Sequence, residues 1–112
     1  MFFRQWDVLL VDDEPDVLQI SKLAMKNFTV YGVPLKLHTT ASKTETIDYL
    51  TEEPGVSSAL AVAFIDVVME TDSAGLELCE YIRDELKNKR TQLFIRTGQP
   101  GIAPELKKYG IL

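Results

Sequence analysis

The sequence predicts an α/β fold, a doubly wound parallel sheet with helices on both faces. Three observations predict it. Asp7-Val8-Leu9-Leu10-Val11, Leu60-Ala61-Val62-Ala63-Phe64-Ile65 and Leu93-Phe94-Ile95 are short, nearly continuous apolar runs, the pattern of strands buried on both faces. Between them apolar residues recur at helical spacing. Glycines and prolines fall at the junctions. Strict strand–helix alternation makes the strands parallel and the crossovers right-handed. The expected strand order is 2-1-3-4, with a fifth strand missing or only begun and the last helix largely missing.

The first strand is the run from Asp7 to Val11, ending at Asp12-Asp13. Pro15 then stands where a helix begins, a position that has no use for the missing N–H. Val17, Ile20, Ala24 and Phe28, widened by Leu23 and Met25, give a first helix over about 15–28. Gly32 and Pro34 end it. Leu35, Leu37 and Thr39 alternate with Lys36, His38 and Thr40, a strand with one wetter face near a sheet edge. Ser42 and Glu45 have the spacing of a capping box, opening a second helix to about residue 53. Pro54-Gly55 breaks it. The run ending at Asp66 is the third strand. A loop with Glu70, Thr71 and Asp72 follows. A third helix, capped by Asp72 or Ser73, carries the stripe Leu76, Cys79, Ile82, Arg83 and Leu86. The fourth strand ends at Arg96-Thr97-Gly98, and Pro104 starts a short helix through Leu106 to Tyr109.

The 112 residues fit one domain, with no repeats, linkers or low-complexity tracts. Hydrophobic residues at 46% and charged residues at 26% exclude a disordered chain. The net charge of −5 argues against nucleic-acid binding by this domain. Lys87, Lys89 and Arg90 read as a solvated helix end complementing the dipole. No apolar run has the length of a membrane span, and the N-terminus lacks the form of a signal peptide. The single cysteine, Cys79, fits a buried thiol in a reducing, cytoplasmic compartment. His38 is expected at the surface or partly buried, remote from the acids. Trp6 and Phe2-Phe3 are expected as packing anchors.

In doubly wound sheets ligands bind at the carboxyl ends of the strands, near the switch in strand order. Asp12 and Asp13 leave the first strand there, Asp66 the third and Thr97 the fourth. Carboxylates gathered at one point repel each other and call for a compensating cation. Mg²⁺ suits them, because it takes oxygen ligands and uses one or two carboxylates plus a phosphate oxygen. One carboxylate is then available as a nucleophile toward phosphorus. A hydroxyl such as that of Thr97 gains a hydrogen bond only once a phosphoryl group arrives, so it biases a conformational equilibrium. Taken singly, each motif is ordinary turn or cap chemistry. Their joint order at successive strand ends is what points to function.

These residues resemble the receiver family of bacterial two-component response regulators, whose fold is flavodoxin-like. Val8-Leu9-Leu10-Val11-Asp12-Asp13-Glu14-Pro15 is similar to its opening strand and acidic pair. Ala63-Phe64-Ile65-Asp66-Val67-Val68-Met69 is similar to its phosphoacceptor strand and loop. Gly75-Leu76 and Tyr81-Ile82-Arg83 are similar to its next helix. The resemblance implies Asp66 as phosphoacceptor and Mg²⁺ ligand. It implies Asp13 as a direct ligand, Asp12 as a direct or water-mediated one, Val68 as a backbone-carbonyl ligand and Thr97 as the switch hydroxyl. It implies a sensor histidine kinase as donor and a signalling switch in place of a metabolic enzyme. Asp66-Val67-Val68-Met69-Glu70-Thr71-Asp72, Arg96-Thr97-Gly98-Gln99-Pro100-Gly101 and Ala103-Pro104-Glu105 resemble receivers of longer regulators, some of them fused to HD-GYP-type cyclic-dinucleotide phosphodiesterases. That implies an output domain C-terminal to this one in a parent protein.

The chain departs from the family at its end. The family's fifth-strand lysine has no counterpart, since Lys107 and Lys108 fall on a helix before that position. A receiver incomplete over 1–112, with an exposed fourth-strand edge, is expected to self-associate or exchange strands. Two rival readings remain. One is a phosphorylation-independent pseudo-receiver that keeps the fold without switching. The other is a small aspartate-nucleophile phosphohydrolase, disfavoured because its paired acids are spaced Asp-x-Asp after the first strand. No glycine-rich fingerprint for a nucleotide follows the first strand.

Overall fold

The computed structural model describes residues 5–66 and 73–96. The predicted sheet is there. β1 (Trp6–Val11) lies at its centre, parallel to β3 (Val33–Thr40) on one side and to β4 (Leu60–Asp66) on the other. β5 (Gln92–Arg96) continues the parallel order beyond β4. A two-residue strand, β2 (Thr29–Val30), pairs antiparallel with the start of β3 and completes the order β2-β3-β1-β4-β5. Without that short hairpin the order is the expected 2-1-3-4. The hairpin turns through Tyr31 and Gly32, both at positive φ (53° and 73°), a conformation natural for glycine and uncommon for tyrosine. The Trp6 indole donates to the Val30 carbonyl (3.0 Å), so Trp6 anchors this hairpin although its ring stays 37% exposed.

The two sheet faces are covered unequally. One carries Leu9, Val11, Ala63, Ile65 and Leu93 into a continuous core with Leu50, Leu78, Cys79 and Ile82. Those partners come from α2 (Lys43–Glu52), α4 (Ala74–Glu80) and the π-helical turn Tyr81–Glu85 that extends α4. Among the described residues the other face carries only α1 (Pro15–Met25), none of whose residues is fully buried.

Several boundaries differ from the sequence expectation. α1 stops at Met25 and presents Val17, Leu18, Ser21 and Met25 toward the sheet, whereas Ile20, Leu23 and Phe28 are exposed. Pro54 does break the second helix, but as the first residue of α3 (Pro54–Ala59), for which its fixed φ is suited. The third helix begins after Ser73, whose side chain makes no cap bond, and buries Ala74, Gly75, Leu78 and Cys79; Leu76 and Leu86 are only half-buried. The Leu86 N–H reaches back to the Tyr81 carbonyl (3.0 Å), a five-residue step that widens the last turn. The capping box at α2 holds in one half: Ser42 Oγ accepts from the Glu45 N–H (3.0 Å), while the Glu45 carboxylate takes the Ala41 N–H, one residue earlier than the ideal motif. Among the described residues no helix is long and apolar enough to cross a membrane.

Candidate functional site

Register decides what meets at the carboxyl end of the sheet. Val11 pairs with Ile65, so the residues that follow, Asp12 and Asp66, leave neighbouring strands side by side. The Asp12 N–H donates to the Thr40 carbonyl (3.2 Å), extending the β1–β3 ladder by one residue and fixing the turn. Asp12 Oδ1 accepts the Glu14 N–H (2.9 Å), an Asx-type turn that delivers the chain to Pro15 and α1. One oxygen each from Asp12, Asp13 and Asp66 then lies within 4.8 Å of the others. Asp12 is buried, Asp66 half-buried and Asp13 exposed, so the triad runs from the floor of the site to its rim.

At that spacing each pair of ionised carboxylates repels by about 1 kcal/mol in a water-like medium and about 3 kcal/mol at a protein surface. The donor set is oxygen only: Cys79 is in the core, and His38 is engaged with Asp7 and Tyr49. Hard oxygen donors fit Mg²⁺ or Ca²⁺ and not zinc, which draws on nitrogen and sulfur.

Beside the triad a cavity of about 310 Å³ separates α1 from the sheet. Asp12 and Asp66 line its acidic end and Leu18, Met25, Phe64 and Phe94 its apolar flank. β5 lies next to β4 with Arg96 opposite Asp66, which brings the end of β5 to the same edge of the sheet. Thr97 and Val68 lie outside the described residues, as do Glu70, Lys107 and Lys108. Of the expected site residues the structure therefore brings together Asp12, Asp13 and Asp66. The Thr40 carbonyl and the Glu14 amide, which hold Asp12 in place, went unnoticed in the sequence because backbone groups leave no mark in residue identity.

His38 is a correction. It is buried, with Nε2 2.8 Å from Asp7 Oδ1 and Nδ1 2.6 Å from Tyr49 Oη. It sits deep because α2 covers this stretch of β3, even though the sequence marks the strand as lying near an edge.

The fold is that of solved receiver domains. The signal receiver domain of a two-component histidine kinase from Clostridium thermocellum superposes with a TM-score of 0.75 at 16% identity, over 95% of this chain and 80% of that one. The signal receiver domain of an HD domain-containing protein from Pseudomonas fluorescens Pf-5 gives 0.72 at 19% identity, over 98% and 73%. In sequence the chain is similar to the 3'3'-cGAMP-specific phosphodiesterase 2 of Vibrio cholerae, 45% identical over 109 residues. That match covers 95% of this chain and 20% of the relative's length. No family model matches the chain.

Proposed function

We propose that the chain is a phosphoacceptor receiver that takes a phosphoryl group from a sensor histidine kinase onto Asp66. The observation that carries this reading is the convergence of Asp12, Asp13 and Asp66 from two strand ends. Asp12, Asp13, Asp66 and the Val68 carbonyl would hold Mg²⁺, which when bound supplies positive charge to the transferring phosphoryl oxygens. Asp66 Oδ attacks phosphorus. The donor's P–N bond breaks, its electron pair leaves with the imidazole nitrogen, and a P–O bond to Asp66 forms. Thr97 is the switch hydroxyl for the modified state. Asp12, pinned by Glu14 and Thr40, keeps its carboxylate aimed at the site throughout.

Likeness to the Vibrio cholerae enzyme supports a cyclic-dinucleotide phosphodiesterase as the output module under this receiver's control, in the parent protein. Two exposed phenylalanines, Phe64 and Phe94, support pairing with a second copy of the chain.

The test is incubation with Mg²⁺ and acetyl phosphate followed by intact mass, for the parent and Asp66→Asn. One added phosphoryl group in the parent and none in the variant is the expected result. A folded, Mg²⁺-binding parent that stays unmodified removes the proposal and leaves the phosphorylation-independent module in its place.

A further inference from the structure

At the end of the sheet opposite the acidic triad, an open groove of about 650 Å³ lies between α3 and the segment that follows the π turn. We propose that this groove is a second ligand site, one that takes a small phosphorylated organic molecule of about nucleotide size. Three of the chain's 12 basic residues, Lys87, Lys89 and Arg90, line it. No carboxylate lines it, in a chain with 17 acidic residues. Among the described residues no ion pair joins these cations to an acid.

A helix end welcomes cations, but part of this one is already closed by the chain's own groups. The Tyr81 carbonyl accepts from Leu86, the Ile82 carbonyl from the Asn88 N–H (3.0 Å), and Arg83 Nη1 donates to the Asn88 carbonyl (3.0 Å). The last-turn carbonyls at Tyr81 and Ile82 are thus capped from within, in the manner of a helix ending on a left-handed residue. That residue is Lys87, at φ 53°, where glycine is usual. A lysine held in this conformation places a charge over the groove at a cost in backbone strain.

The segment is also rigid by construction. Asn88 Oδ1 accepts from the Arg90 and Thr91 N–H groups (3.0 Å each), and Asn88 Nδ2 donates to the Ser57 carbonyl (3.2 Å) and Thr91 Oγ1 (2.7 Å). Thr91 Oγ1 in turn donates to the Leu60 carbonyl (2.9 Å). One asparagine therefore ties the backbone of the cationic segment to α3 and β4, so binding need not order that backbone. Across the groove, Thr51 and Tyr81 share a hydroxyl contact (3.2 Å). Leu50, Pro54 and Leu86 give an apolar floor. A volume of this size, with a few convergent polar groups over an apolar floor, is the form of small-molecule sites. The cations fit phosphate oxygens; the floor and the Tyr81 ring fit a flat organic portion.

The test is a titration of the ¹⁵N-labelled chain with GMP and, separately, AMP and inorganic phosphate. It is run in EDTA, so the acidic triad cannot recruit phosphate through a metal. We expect saturable amide shifts confined to residues 51, 57–58, 81 and 87–91 with at least one nucleotide, and weaker binding of inorganic phosphate. We expect Lys89→Ala/Arg90→Ala, two exposed positions, to lose about tenfold or more in affinity, equivalent to about 1.4 kcal/mol. Non-saturating shifts, shifts scattered over the surface, undiminished binding by the double variant, or equal binding of inorganic phosphate would each overturn the proposal. None of these outcomes bears on phosphorylation of Asp66.

Discussion

Two buried polar residues outside the acidic site illustrate how much a single side chain can carry. Asp7 can only accept, so in the neutral imidazole the His38 Nε2–H donates to it and Nδ1 accepts the Tyr49 O–H. Burial, with Glu53 and Asp7 nearby, holds the Tyr49 phenol above its ordinary range, so the hydroxyl keeps the proton it donates. His38→Ala strands a mostly buried carboxylate and a phenol together. It should cost about 2–4 kcal/mol, measured as a lower urea midpoint at unchanged slope; a loss under about 0.5 kcal/mol, typical of a surface site, would refute the network's role. Cys79 gives a pH prediction. Burial pushes its thiol up to about 12 from an ordinary 9.0, against a smaller opposing pull from Arg83. Because the folded value is the higher one, the neutral thiol favours the folded state. This contribution is complete below pH 9.0 and drains away as the pH rises toward 12. Cys79→Ala should therefore flatten the alkaline fall in stability relative to the parent, and parallel curves for the two proteins would rule the effect out. At this scale the acids were legible because each ends an apolar run. His38 was not, since its burial depends on a helix crossing β3 and on Asp7 from another strand, neither of which its neighbours in sequence reveal.

At the scale of elements, α1 is more loosely attached to the sheet than α4. It places Val17, Leu18 and Met25 toward a cavity and buries nothing completely, whereas α4 buries four residues. Local opening costs least where few apolar contacts break. Native-state hydrogen exchange should find α1 amides opening at lower free energy than those of β1 and β4, and equal protection in all three would count against this. The same helix shows where sequence periodicity misleads. Ile20, Leu23 and Phe28 form as good a stripe as Val17, Leu18 and Met25, and the polar Ser21 on the true inner face tips the balance the wrong way. The start of α1 was legible because Pro15 can stand only there. The π turn after α4 was not, since no residue type demands it; Ile82 within it is buried in the core.

For the molecule as a whole, the strand order followed from alternation and register, but the unequal cover of the two faces did not, because a strand's apolar pattern says that a face is buried without saying by what. On the α1 side Phe64 and Phe94 face each other across the β4–β5 register, rings stacked at 5.3 Å, and remain 38% and 46% exposed. β5 also has no strand on its outer side among the described residues. An exposed aromatic pair beside an open strand edge is the arrangement that draws in a second chain. Sedimentation velocity across a concentration series should show reversible self-association of the parent chain. Phe64→Ser/Phe94→Ser should weaken it without unfolding the protein, since neither ring belongs to the buried core. Two alternatives read out differently in the same experiment. A parent that stays monomeric at every concentration shows that the exposed pair does not recruit a partner copy. A double variant that associates as strongly as the parent moves the contact from the aromatic face to the β5 edge, where backbone pairing is indifferent to the side chains removed.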